Sequence, residues 1–164
     1  MKNKLFSILA LIISVTLFSF TNTPKGDGDK ESLYVFKDLE GNTVDLTEFE
    51  GKYVYIDVWA SWCGPCLREI PSLQEIEKKY EGKDIVFVSL SVDQSTDAWK
   101  AMVKKKDLHG NQLHLGTNFK FTDKFNITSI PRFILLDKKG KVENANAPRP
   151  SEEALVALFK DLGL

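Results

Sequence analysis

Two apolar runs rich in β-branched and aromatic residues, each followed by a helical repeat, predict an α/β domain: a central sheet with helices on both faces. The runs are Tyr53 to Trp59 and Ile85 to Leu90, and the helical repeats begin at the cysteines and near Ser95 or Thr96. The third observation is the end of the chain, where a strand, a turn and a returning strand lead into a last amphipathic helix. With 43% hydrophobic and 27% charged residues, 164 residues suffice for one packed core. A formal net charge of -1 asks for neither nucleic acid nor an anionic membrane surface.

Taken in order, Leu33 to Phe36 is a short extended piece, Gly41 and Asn42 mark a turn, and Thr43 to Leu46 returns as a second strand. Tyr53 to Trp59 reads as a strand buried on both faces, with Asp57 as its one charged residue. Leu67, Ile70, Leu73 and Ile76 recur every third residue and predict a helix to about Tyr80, kinked at Pro71, which lacks an N–H to donate. Ile85 to Leu90 is the next buried strand. Ala98, Trp99, Met102 and Val103 form one face of a helix ending at Lys104 to Lys106, where cations suit the dipole. Gln112 to Leu115 is read as a short strand and Phe119 to Phe125 as a short helix. Arg132 to Leu136 and Lys141 to Ala145 pair as a hairpin across Asp137 to Gly140. The last helix spans Ser151 to Leu162, with Ser151 as N-cap and Leu155, Leu158, Phe159 and Leu162 as its buried stripe.

The first residues are a separate object. Lys2 and Lys4 precede an uncharged run of sixteen residues, Leu5 to Phe20, and the chain then turns polar. Residues 1–23 are expected to be a secretory signal or, if uncleaved, a membrane anchor, although the run falls short of the roughly 20 residues that span a bilayer. Residues 24–32 form a linker and residues 33–164 the domain.

The only two cysteines stand two residues apart in Trp62-Cys63-Gly64-Pro65-Cys66, directly after the first buried strand. So small a loop makes a poor structural staple, because closing it removes little entropy from the unfolded chain. Reversible disulfide chemistry is the stronger reading. Cys63 lies at a helix start, where exposed N–H groups and the dipole favour a thiolate and hence a nucleophile. Cys66, one turn further, is placed to resolve a mixed disulfide. Gly64 permits the tight turn, and Pro65 fits a first helical turn, where no N–H is missed. A zinc site would need a second ligand pair, and His109 and His114 do not have the spacing.

The segment Asp57-Val58-Trp59-Ala60-Ser61-Trp62-Cys63-Gly64-Pro65-Cys66 resembles the active-site segment of thioredoxin-fold proteins. Leu67-Arg68-Glu69-Ile70-Pro71 is similar to the C-x-x-C-x-x-E-x-P continuation of the exported TlpA and ResA-like thiol-disulfide oxidoreductases of that superfamily. Gly41 to Leu46, Ser129-Ile130-Pro131 and Leu135 to Gly140 match further, so the resemblance covers about residues 33–162. It implies a thioredoxin-like fold with a central mixed sheet, an N-terminal strand extension, and an inserted helix and strand at about Thr96 to Leu115.

The resemblance also implies roles. Ile130-Pro131 becomes a cis peptide facing the cysteines and presenting its backbone to an extended substrate. Asp57 takes the place of the buried carboxylate that passes protons to and from Cys66; otherwise it is a carboxylate satisfied by a backbone or lysine partner. Glu69 either lines the cavity beside the thiols or favours the helix start electrostatically. Trp62 shields the disulfide and contacts substrate, and Trp59 packs beneath it. Arg149, in a loop stiffened by Pro148 and Pro150, borders the cis-proline groove, where it favours the thiolate, attracts an acidic partner, or is simply solvated.

The function this implies is an exported thiol-disulfide oxidoreductase with no cofactor and no metal. It would reduce protein disulfides, cytochrome apoproteins among them, through Cys63 and Cys66, and be recharged by a membrane electron donor. Two other readings compete with it. One is a copper-binding or delivery module using His114, although the related motif calls for three residues between the cysteines. The other is a noncatalytic protein-binding domain.

Overall fold

The computed structural model describes residues 33–164; the signal or anchor expected over 1–23 and the linker over 24–32 lie outside the described residues. Seven strands form one mixed sheet in the order β2-β1-β5-β4-β3-β6-β7. They are β1 (Val35–Lys37), β2 (Thr43–Asp45), β3 (Tyr53–Trp59), β4 (Ile85–Ser91), β5 (Asn111–His114), β6 (Arg132–Leu136) and β7 (Val142–Asn144). The centre of the sheet is the parallel pair β3 and β4, joined by parallel β5 on one side and antiparallel β6 on the other.

The helices are α1 (Gly64–Lys79), α2 (Thr96–Lys106), α3 (Phe119–Lys124) and α4 (Glu153–Asp161). Alternation along β3 sorts the core into two layers. Val54, Ile56 and Val58 face Phe121 of α3 and Phe125 just after it. Tyr55 faces Leu73 and Ile76 of α1 and Leu155 and Phe159 of α4, and Trp59 joins Trp99 and Val103 of α2. Asp57 shares that second face. Helices therefore cover both faces, as the alternation predicts, and α2 with β5 forms the expected insertion. Among the described residues no helix is long and apolar enough to cross a membrane.

Local differences have local causes. A 3-10 turn over Leu46–Phe49 follows β2, because the Asp45 carboxylate accepts the Thr47 N–H and buries Leu46. Ser95 caps α2 as its type predicts, accepting the Ala98 N–H. Ser151 does not cap α4: its N–H donates to Glu69, and the N-cap position falls to Glu152, whose carboxylate accepts the Arg149 N–H. α1 continues through Pro71, which lies on its exposed side.

Candidate active site

β3 ends at Trp59, and the chain turns over Ala60 to Trp62 before α1 begins. Cys63 closes that turn, donating its N–H to the Ala60 carbonyl at 3.0 Å, and serves as the N-cap of α1. Its Sγ accepts the Cys66 N–H at 3.2 Å, and Pro65 occupies the first turn, as its missing donor allows. Cys63 and Cys66 form a disulfide with an S–S distance of 2.02 Å. The helix start is thus already aimed at the sulfur that would carry negative charge on reduction.

The disulfide is more covered than the sequence suggests. Cys63 is 4% and Cys66 3% exposed, packed among Trp59, Ala60, Trp99 and Val103 with Leu39 and Ile130 against them. Trp62 is 69% exposed beside them. Trp59 is core, as expected. Ile130-Pro131 is a cis peptide, in agreement with the resemblance. A groove of about 380 Å³ runs from Pro131 past Arg132 and Asn146 to Pro148, Arg149 and Glu152. Its far wall is anchored from the core: the Tyr55 hydroxyl donates to the Pro148 carbonyl at 2.7 Å, and the Ala147 N–H to Phe133 at 3.0 Å.

Asp57 is 7% exposed in the middle of β3, flanked in register by Ser89 and Phe133. Burial pushes its carboxyl up to about 8, and the nearby carboxylates of Glu77 and then Glu69 push the same way. No lysine or backbone hydrogen bond satisfies Asp57 among the described residues.

Glu69 makes contacts that neither expectation named. Its side chain reaches the loop before α4, accepting the Ser151 N–H at 3.2 Å and lying 3.5 Å from the Arg149 guanidinium. Arg149 also lies 4.0 Å from Glu152, so two carboxylates balance its charge. The pair ties α1 to the wall of the groove. Glu69→Ala leaves the Ser151 N–H and Arg149 without that partner and should cost about 1 kcal/mol in urea unfolding, with a higher KM for a peptide disulfide.

Asp93 escaped the sequence reading. It is buried after β4, where its carboxylate accepts the Ser61 N–H at 2.9 Å, the Ser61 hydroxyl at 2.6 Å and the Ser91 hydroxyl at 2.8 Å. It thereby fixes the turn that delivers Trp62 and Cys63. Its backbone carbonyl accepts from His114 Nε2 at 2.8 Å, and His114 Nδ1 accepts the Gly116 N–H at 3.2 Å. Both ring nitrogens are engaged, so His114 has no free donor atom for copper. An aspartate two residues past a buried strand carries no motif, and only its three donors reveal it. Asp93→Ala should destabilise the domain by about 3 kcal/mol, measured by urea unfolding of the oxidised protein, because three donors lose a charged acceptor.

A disulfide at the handover from a buried central strand to a helix, with a cis-proline segment packed against it, defines a thioredoxin-like thiol-disulfide oxidoreductase. The chain belongs to the Redoxin family, whose model matches residues 19–158. It is similar to thiol-disulfide oxidoreductase ResA of Bacillus thuringiensis subsp. konkukian, at 31% identity over 98% of each chain, and to ResA of Bacillus cereus, at 31% over 86% of each. Among solved structures it is similar to a candidate thiol-disulfide oxidoreductase from Bacteroides vulgatus, at 53% identity and TM-score 0.74 over 79% of this chain and 85% of that one. The thioredoxin domain of a thiol-disulfide oxidoreductase from the same organism matches at 28% and TM-score 0.70, over 78% and 91%. The chain is a ResA-like thiol-disulfide oxidoreductase that acts through its cysteine pair.

Proposed function

We propose that the protein is exported and reduces disulfides of other proteins, with Cys63 as nucleophile and Cys66 as resolving thiol. The observation that carries this is the Cys63 sulfur at the N-cap of α1, accepting the Cys66 N–H. The thiolate of reduced Cys63 attacks one sulfur of a client disulfide, forming a mixed disulfide and releasing the other client sulfur as a thiolate. Cys66 then gives its proton to the Asp57 carboxylate and attacks Cys63 Sγ. The Cys63–Cys66 disulfide forms, and the second client thiolate leaves and takes up a proton. Two electrons pass to the client, and a donor dithiol at the membrane restores the enzyme.

Trp62, Ile130 and Pro131 receive the client as an extended segment along the groove whose wall Arg149 and Glu69 hold. Residues 1–23 carry the chain across the membrane as a signal or hold it there as an anchor, residues 24–32 link, and residues 33–164 act. The Gly-Pro pair between the cysteines resembles that of the reducing members of the superfamily and supports the reducing direction, with cytochrome apoproteins among the clients; the ResA relatives support thiol-disulfide exchange. The test is trapping in cells with Cys66→Ser: disulfide-bearing exported proteins attached to Cys63 support the reading. An equally loaded Cys63→Ser/Cys66→Ser control would overturn it.

A further inference from the structure

The inner face of α1 does not end with apolar residues. Cys66, Ile70, Leu73 and Glu77 stand at i, i+4, i+7 and i+11, so Glu77 continues the stripe on which the resolving cysteine sits. A recess about the size of one water molecule lies beneath this face, lined by Asp57, Trp59, Ser89, Gln112, Glu77 and His109. Two of its polar atoms are buried and unpartnered: the Trp59 indole N–H and the Gln112 Oε1. Trp59 is 2% and Gln112 5% exposed. One is a donor and the other an acceptor, and buried polar groups without protein partners mark sites for internal water. Gln74, Glu77 and His109 also border an open groove of about 630 Å³ on the outer surface, so they stand where the recess meets solvent.

We propose that a water molecule bound in this recess links Asp57 to Glu77, and that the proton Asp57 takes from Cys66 leaves through this side entrance rather than through the client-covered front. This rests on Asp57 accepting that proton. In the first hop the Asp57 O–H bond breaks as an O–H bond forms on the water, which passes its own proton to the Glu77 carboxylate. Glu77 then releases it into the outer groove. Glu77 acts through Asp57 and is a positioning residue for the proton.

The acidities of the two groups suit the transfer. Burial raises Asp57 to about 8 and Glu77 to about 7, with the Glu77 shift opposed by His109, so neither holds the proton far more tightly than the other near neutral pH. The charged and titratable groups around them are Glu69 of α1, Tyr55 of β3, and His109 with Asp107 beyond α2. Lys78 and Glu81 border the outer groove, while β4 and β5 line recess and groove with uncharged residues, Ser89 and Gln112 in the recess. The route opens away from the cysteines, which are already almost wholly covered before a client docks.

The test is the pH profile of the resolving step, read in single turnovers of the reduced full chain on a preformed peptide disulfide. Glu77→Gln, which keeps the shape, should slow resolution about 5-fold at pH 7, with imidazole buffer restoring the rate and Glu77→Asp recovering part of it. Asp57→Asn should slow it more, and adding Glu77→Gln to Asp57→Asn should change nothing further. If Asp57→Asn slows the step and Glu77→Gln leaves rate, profile and buffer response unchanged, the side entrance is wrong while Asp57 keeps its role. If Asp57→Asn has no effect, the role of Asp57 itself fails.

Discussion

Cys63→Ser should reduce client turnover to the rate of uncatalysed thiol-disulfide exchange, and Cys66→Ser should also stop turnover but accumulate protein bound to its client. Non-reducing electrophoresis and mass spectrometry distinguish the two. The asymmetry follows from position. The Cys63 sulfur is at the mouth of α1, where the Cys66 N–H and the helix dipole stabilise a thiolate, whereas Cys66 lies inside the first turn against the core. Without Cys63 no bond to the client forms; without Cys66 the bond forms and is not released. Equal trapping by both variants would refute the assignment of the nucleophile.

Asp57→Asn should stabilise the oxidised protein at neutral pH while impairing its chemistry. Burial pushes the carboxyl of Asp57 up to about 8 in the folded chain, from the ordinary 3.8. Between those values the native state keeps a proton that the unfolded state has lost, so stability falls as pH rises through this window and is unaffected by this group below it. An amide has no such proton. At about 1.4 kcal/mol per pH unit, Asp57→Asn should gain about 4 kcal/mol at pH 7 and almost nothing at pH 3.5, read from urea midpoints at each pH. The same substitution removes the proposed acceptor for the Cys66 proton and should slow resolution about 100-fold. A variant destabilised at pH 7 would show that Asp57 is held by favourable contacts as an anion.

Glu77 and Asp93 explain why part of the site was not legible along the chain. A glutamate near the end of an amphipathic helix and an aspartate after a strand are ordinary in sequence, and each acquires meaning from β4, β5 and the turn before Cys63. Glu69 was legible as a member of the C-x-x-C-x-x-E-x-P pattern, but its partner was not. Arg149 and Ser151 lie 80 and 82 residues away and meet it only because α4 packs beside α1. The misplaced N-cap of α4 has the same origin, since the Ser151 N–H donates to Glu69 rather than joining a local cap.

Short-range physics makes three features legible along the chain: the alternation of strands and helices, the buried run with one acid in it, and the thiol pair at a helix start. Those features depend on periodicity, on glycine and proline at a turn, and on a dipole acting within one turn of its own helix. How covered the disulfide is, which carboxylates crowd Asp57 and which charges Glu69 and Arg149 meet emerge only when the elements pack together. Each of these is a contact or desolvation between segments distant in the chain, and the local pattern of either segment carries no record of its partner.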